Sequence, residues 1–228
     1  MMSKVSIFDI CGTLYRSNTT FDFLDYYLND SKLYHIYRIL YRCLLWRLFN
    51  KFTKHTIQYD ITRSIAIYFL KGHSKKELLK AAQSFYNLEL QKKENKRVIE
   101  LLYKLNSNNK NQVIIASATL DFIAETIATN LNCKIYYSTT LSYKNEICKG
   151  TIRNDLLGKK MNVLSHHKPF ENVYTDDITD CPVLSLSKNK YIIVYPRTIN
   201  KWKNIVKNKQ WNVNYLTIYS FIVLFYMP

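Results

Sequence analysis

Asp9 comes directly after Val5, Ser6, Ile7 and Phe8, at the end of a short apolar run. A carboxylate in that place either caps a turn or works in a site. Ser117 stands in the equivalent position after Ile114, Ile115 and Ala116, and Asp176, Asp177 and Asp180 cluster after Val173, Tyr174 and Thr175. This cluster is a dense negative spot in a very basic chain, in which 33 Lys and Arg face 17 Asp and Glu for a formal net charge of +16. Carboxylates held so close together are stabilised by a divalent cation. Hard oxygen donors with no thiolate or imidazole beside them point to Mg²⁺.

The elements that must position these residues can be read from the pattern of apolar positions. Lys4 to Ile10 is rich in β-branched residues and reads as a buried strand running into a turn at Asp9-Ile10-Cys11-Gly12-Thr13. A long helical region follows, over roughly residues 20–106. Within it Ser74-Lys75-Lys76-Glu77 is a capping box that starts a helix through Leu78, Ala82 and Phe85, and Gly72 is placed to close the helix before it. From residue 112 strands alternate with helices. Strands are expected at Val113–Ala116, Ile135–Ser138, Val173–Thr175 and Ile192–Val194, and helices at Leu120–Leu131, Lys159–His166 and Thr198–Lys209. Lys149 and Gly150 read as a hairpin turn. His166 and His167 read as a helix end, since adjacent side chains on a helix diverge by about 100°. The alternation predicts an α/β fold with a Rossmann-like parallel sheet, whose sites gather at the carboxyl ends of strands. The helical block then becomes an all-helical cap inserted over that end. The expected division is a core of residues 1–16 and 107–214, a cap with connecting helix at 17–106, and an apolar tail at 215–228.

Taken together and in this order, these residues resemble the haloacid dehalogenase superfamily, and within it the phosphoserine phosphatase-like branch. The resemblance covers nearly the whole chain. The first motif of the family, DxDxT and an apolar residue, is matched by Asp9-Ile10-Cys11-Gly12-Thr13-Leu14 at all but one position. The second, an apolar strand ending in Ser or Thr, is matched by Val113 to Ser117, with Ser117-Ala118-Thr119 in the style of the branch. The third, a lysine opening a helix, is matched around Gly158-Lys159-Lys160-Met161. Here Lys160 fits better than Lys159, because Met161 and Leu164 then fall at the apolar places. The fourth is matched by Thr175-Asp176-Asp177-Ile178-Thr179-Asp180, and Tyr195-Pro196 ahead of a basic helix and Trp211 is similar to the usual ending of the branch.

The resemblance implies a phosphatase. Asp9 would be the nucleophile, forming an aspartyl-phosphate that water later hydrolyses. Thr13, Ser117 and Lys160 would bind the phosphoryl oxygens. Mg²⁺ would be held by Asp9, the backbone carbonyl of Cys11 and Asp176, with Asp180 in the outer shell. Cys11 stands where the family has a second aspartate that protonates the leaving group and then activates water. Three readings follow from that departure: a phosphatase with reduced activity or an unusual leaving group, a phosphotransferase with a long-lived aspartyl-phosphate, or a non-hydrolytic protein that binds a phosphorylated ligand.

Composition narrows the field further. Four glycines, where average usage would give roughly sixteen, exclude a G-x-G-x-x-G dinucleotide loop and a Walker A loop. Five cysteines without C-x-x-C spacing argue against a disulfide framework or a zinc site and suit a reducing cytoplasm. The first residues lack the pattern of a secretory signal. The basic excess is uneven: residues 31–55 hold six basic residues and residues 181–228 hold seven, with no acidic residue in either stretch. Such a field favours an anionic partner, either a phosphorylated small molecule or lipid phosphate, or an anionic membrane surface to which the protein would be peripheral. Leu33–Phe52 carries too many arginines to span a membrane. On a helical projection His35, Arg38 and Arg42 share one stripe and Arg47, Lys51 and Lys54 another, so no single clean interfacial helix is expected. Some members of the branch look like phosphatases of membrane lipid phosphates. No nucleic-acid module is recognisable, so no nucleic acid is expected as a partner.

Overall fold

The computed structural model describes residues 4–43, 46, 48, 50 and 60–218. Its centre is β1 (Lys4–Phe8), buried along all but its first residue. A strand covered on both faces reads as a nearly continuous apolar run, as Val5 to Phe8 does apart from Ser6.

A helical block separates β1 from the next strand. It comprises α1 (Thr19–Tyr27), α2 (Lys32–Arg42), α3 (Ile61–Tyr68), α4 (Lys75–Phe85) and α5 (Lys96–Asn106), with a π turn at Tyr86–Leu90 and a 3₁₀ turn at Gln91–Lys93 before the last. Side chains at the starts of the first four accept from otherwise unpaired backbone N–H groups: Asn18, Ser31, Asp60 and Ser74. Ser74 and Glu77 form the reciprocal capping box.

The sheet continues with β2 (Asn111–Leu120), α6 (Asp121–Asn130), β3 (Ile135–Lys144) and β4 (Ile147–Asn154). It is completed by α7 (Met161–Leu164), β5 (Phe170–Thr175), α8 (Cys181–Ser185), β6 (Ser187–Val194), α9 (Ile199–Lys209) and β7 (Asn214–Thr217). Strand order is β4-β3-β2-β1-β5-β6-β7, parallel except for the antiparallel pair of β3 and β4. The chain winds outward from β1 in one direction, then returns to β5 and winds outward in the other. The switch point of the topology therefore lies at β1, where open α/β sheets carry their sites.

Side-chain alternation along the strands divides the core in two. Val113 and Ile115 of β2 join Phe8 in a large cluster with Phe23, Phe85 and Phe122, whereas Ile114 and Ala116 join Val5, Ile7, Phe170 and Trp202 on the other face. The helical block and the sheet share the first cluster.

Three local expectations are corrected. The hairpin turn is at Asn145-Glu146, both with positive φ, while Lys149 and Gly150 lie inside β4. Asn-Glu lacks the glycine that usually marks a two-residue turn. Gly150 is needed for a different reason: a Cβ there would stand 2.9 Å from the Tyr68 carbonyl oxygen, so it lets α3 approach the strand. Gly72 does not cap α3, which ends at Tyr68; its N–H donates instead to the Cys148 carbonyl at 2.9 Å. Finally, the start of the expected apolar tail is a strand, with Leu216 buried, and residues 219–228 fall outside the described residues. Residues 51–59, within the basic aromatic stretch, also fall outside them.

Candidate active site

Strand order β2-β1-β5 brings the loops after three strands side by side, about 4.8 Å apart at the strand ends. Asp9 follows β1, Ser117 lies near the end of β2, and Asp176 follows β5. The β2–β3 register shifts between Ala116 and Leu120, so Ser117-Ala118-Thr119 leave the regular ladder. All three loops line one cleft of about 760 Å³, together with Cys11, Gly12 and Lys160.

Lys160 is the organising cation. Its buried Nζ donates to Asp9 Oδ1 at 2.7 Å and to Asp180 Oδ2 at 2.6 Å. Lys159 is exposed to solvent. Burial works against a charged ammonium, but the carboxylates of Asp180 and Asp9 outweigh it and raise the Lys160 pKa well above its ordinary value. Thr175 holds the same Asp180 oxygen from the other side at 2.6 Å, and Asp180 Oδ1 is buried with no hydrogen-bond partner. Thr13 Oγ1 accepts from the Asp176 backbone N–H at 3.0 Å and donates to Asp176 Oδ1 at 3.3 Å, linking the first and fourth motif loops. Asp177, half-buried at the cleft wall, caps the following turn by accepting from Thr179 N–H at 2.9 Å.

These loops are also held from behind. Tyr195 Oη donates to the Gly12 carbonyl at 2.6 Å, and Trp202 Nε1 donates to the Asp176 carbonyl at 3.2 Å.

Cys11 enters a cluster of hydroxyls. Its Sγ is 3.1 Å from Thr19 Oγ1 and 3.3 Å from Thr119 Oγ1; those two hydroxyls are 2.9 Å apart, and Ser117 Oγ is 3.1 Å from Thr119 Oγ1. Burial, and then the charge of Asp9, raise the thiol pKa. The group is a neutral thiol at neutral pH.

The donor set fits a hard divalent cation. Burial, followed by the charges of Asp9 and Asp177, pushes Asp176 up to about 8 against the pull of Lys160, as expected of carboxylates crowded without enough positive charge. Asp180 is raised as well, by burial against the pull of Lys160. Gly12 has φ +68°, and a Cβ there would lie 2.1 Å from Asp176 Oδ2, so glycine alone lets that carboxylate lean against the loop after Asp9. Among the described residues no three His, Cys, Asp or Glu side chains form a ready-made cage. An ion here would need backbone, water or substrate oxygens besides Asp9 and Asp176.

Motif reading does not find Arg63. This buried α3 side chain lines the cleft, donating to Asp155 Oδ1 and to the Ala118 carbonyl, each at 2.7 Å. The available signal is a single cation inside the apolar run Ile61-Thr62-Arg63-Ser64-Ile65-Ala66-Ile67. Thr19 is likewise unremarkable in sequence.

The chain belongs to the haloacid dehalogenase-like hydrolases, whose family model matches residues 7–185. It is thus a hydrolase of that family, with an α/β, Rossmann-like fold. Solved structures agree on the fold. A Bordetella pertussis Tohama I protein with unknown function is 17% identical, with a TM-score of 0.68 over 93% of this chain and 98% of that one. A phosphoserine phosphatase solved as a phospho-aspartyl intermediate analogue is 13% identical, with a TM-score of 0.56 over 91% and 99% of the two chains. A cytosolic 5'-nucleotidase bound to cytidine is 13% identical, with a TM-score of 0.55 over 90% and 77%. No curated protein matches in sequence.

Proposed function

We propose that this chain is a Mg²⁺-dependent phosphatase that hydrolyses a phosphomonoester, carried on a lipid or a sugar, through an aspartyl-phosphate on Asp9. The observation that carries the reading is the convergence of Asp9, Lys160, Asp176 and Asp180 at the switch point of the sheet, in one cleft with Ser117.

Each side chain has a task in that chemistry. Asp9 attacks phosphorus with its free Oδ2, while Lys160 holds Oδ1 and orients the carboxylate. Lys160 and the Ser117 hydroxyl bind phosphoryl oxygens as negative charge spreads over them. Thr13, expected from the motif to bind phosphate, is fully buried and bonded to Asp176, so its task is to keep that carboxylate in place. Asp9, Asp176 and the Cys11 carbonyl would hold Mg²⁺, with Asp180 behind them; the ion would neutralise charge between the nucleophile and the phosphate. The helical block, taken as a cap over residues 17–106, closes the cleft through Arg63 and the start of α1.

Cys11 favours a qualified form of this reading. A neutral thiol is a poor proton donor to an alkoxide and a poor base toward water, so turnover is set by the leaving group and by the lifetime of the phosphorylated Asp9. The test is Mg²⁺-dependent phosphate release from an activated aryl phosphate. Asp9→Asn is expected to abolish it, and unchanged turnover in that variant would refute the mechanism. Phosphate binding without turnover in the native chain would favour the non-hydrolytic reading.

A further inference from the structure

We infer that the outward face of α2 is a docking surface for an anionic phospholipid bilayer. Helix α2 is half packed and half open. Tyr34 and Tyr37 turn inward and are buried, and Arg38 pairs with Asp25. Leu33, Ile36, Ile39 and Leu40 point the other way and are 72%, 55%, 72% and 57% exposed. At 100° per residue these four fall within an arc of about 120°, one continuous aliphatic stripe. Single exposed aliphatic side chains are ordinary; four side by side on one helix face mark a surface that something covers. Across a groove of about 720 Å³, Tyr68 and Lys71 extend the same surface.

Charge identifies the occupant. Exposed Lys32, His35 and Arg42 accompany the stripe, and from residue 31 to 59 the chain has six Lys or Arg and no Asp or Glu. A protein partner is met by charges of both signs around an aromatic centre, but here the aromatic residues of α2 face inward and the basic charge is of one sign. Aliphatic side chains that insert, bordered by cations that meet headgroups, are the pattern of a helix lying in a membrane interface. The eleven residues of α2 extend about 16 Å, too short to cross a bilayer. No helix among the described residues is long and apolar enough to do so. No single clean interfacial helix is expected over 33–52, but within α2 itself Arg38 turns to Asp25 and leaves the aliphatic stripe clear.

The docking surface is tied to the cleft. Tyr37 donates to the Thr62 carbonyl, and the next residue, Arg63, lines the cleft. Docking stands apart from the chemistry at Asp9; that docking presents a lipid phosphate to the cleft rests on the phosphatase reading.

The test is sedimentation of the full chain with vesicles of 70% phosphatidylcholine and 30% phosphatidylglycerol, compared with pure phosphatidylcholine. Binding is expected to the anionic vesicles only, to weaken with salt, and to fall at least about tenfold in Ile36→Glu/Leu40→Glu. The milder Leu33→Gln/Ile39→Gln pair should lose part of it. Because all four positions are exposed, thermal melting and aryl phosphate turnover should match the native chain. If that turnover is absent from every form, the phosphatase reading fails while the vesicle result still stands. Three results would overturn the docking inference: no binding by the native chain, equal binding by the Glu variant, or binding that survives in it but disappears on deletion of residues 219–228. Self-association of the native chain that the Glu variant abolishes would also overturn it, assigning the face to a second copy.

Discussion

Position 11 holds a thiol among hydroxyls that could equally bond a carboxylate. The hydroxyls of Thr19 and Thr119 lie 3.1 and 3.3 Å from Cys11 Sγ, close enough to hydrogen-bond an aspartate in its place. With its pKa raised by burial and by Asp9, the thiol does not change charge between pH 5 and 8. Cys11→Asp is therefore expected to raise turnover of alkyl phosphates about a hundredfold, the lower end of the ~10²–10⁴ range of general acid–base catalysis. Aryl phosphates, whose leaving groups need less help, should gain less, and the variant should acquire a pH-rate limb absent from the native profile. An unchanged alkyl-to-aryl ratio would contradict the role assigned to this position. Asp9, Ser117, Lys160 and Asp176 are legible in the sequence because each sits where an apolar strand or a helix start meets a loop. The hydroxyls around Cys11 are not, since Thr119 lies 108 residues away and only the fold makes them neighbours.

Helix α3 is fixed to the loop after β4 by the Arg63–Asp155 ion pair, with Arg63 almost wholly buried. Arg63→Met should leave both Asp155 and the Ala118 carbonyl short of a donor and cost about 2 kcal/mol, the scale of hydrogen bonds to charged groups. Burial alone would raise the Asp155 pKa, but Arg63, helped by the Leu157 N–H and Thr139, holds it below the usual carboxylate value. A depressed folded-state pKa gives stability that is present above the unfolded value of about 3.9 and lost as pH falls through the folded one. Denaturant unfolding should thus show the native-to-variant difference at pH 7 and a smaller one at pH 3; an equal gap at both would exclude the ion pair as its source. The elements themselves follow periodicity and caps closely. What sequence misplaced was the turn of the β3–β4 hairpin, which has positive φ at Asn145 and Glu146 rather than at Gly150 inside β4.

Across the whole molecule the helical block and the sheet share one core. The Phe23 ring of α1 meets Phe122 of α6 edge-on at 5.0 Å and Phe85 of α4 at 5.8 Å. Phe23→Ala should cost about 3–5 kcal/mol, as truncation of a fully buried aromatic does. It should lower a single unfolding transition seen alike by circular dichroism and tryptophan fluorescence, whereas two separated transitions would mean that block and sheet fold as independent units. The alternation of strands and helices made the sheet legible. It could not convey this shared core, because contacts between an insertion and its host leave no local period.

Residues 72–75 run along β4. Gly72 N–H donates to the Cys148 carbonyl, Cys148 N–H to the His73 carbonyl, and Lys75 N–H to the Glu146 carbonyl. The insertion is therefore riveted to the sheet edge midway along its length, which leaves it no free hinge for a rigid lid-like swing. Amide hydrogen exchange should find Gly72, Lys75 and Cys148 as slow as the central strands, and slower than the amides of α1 and α2.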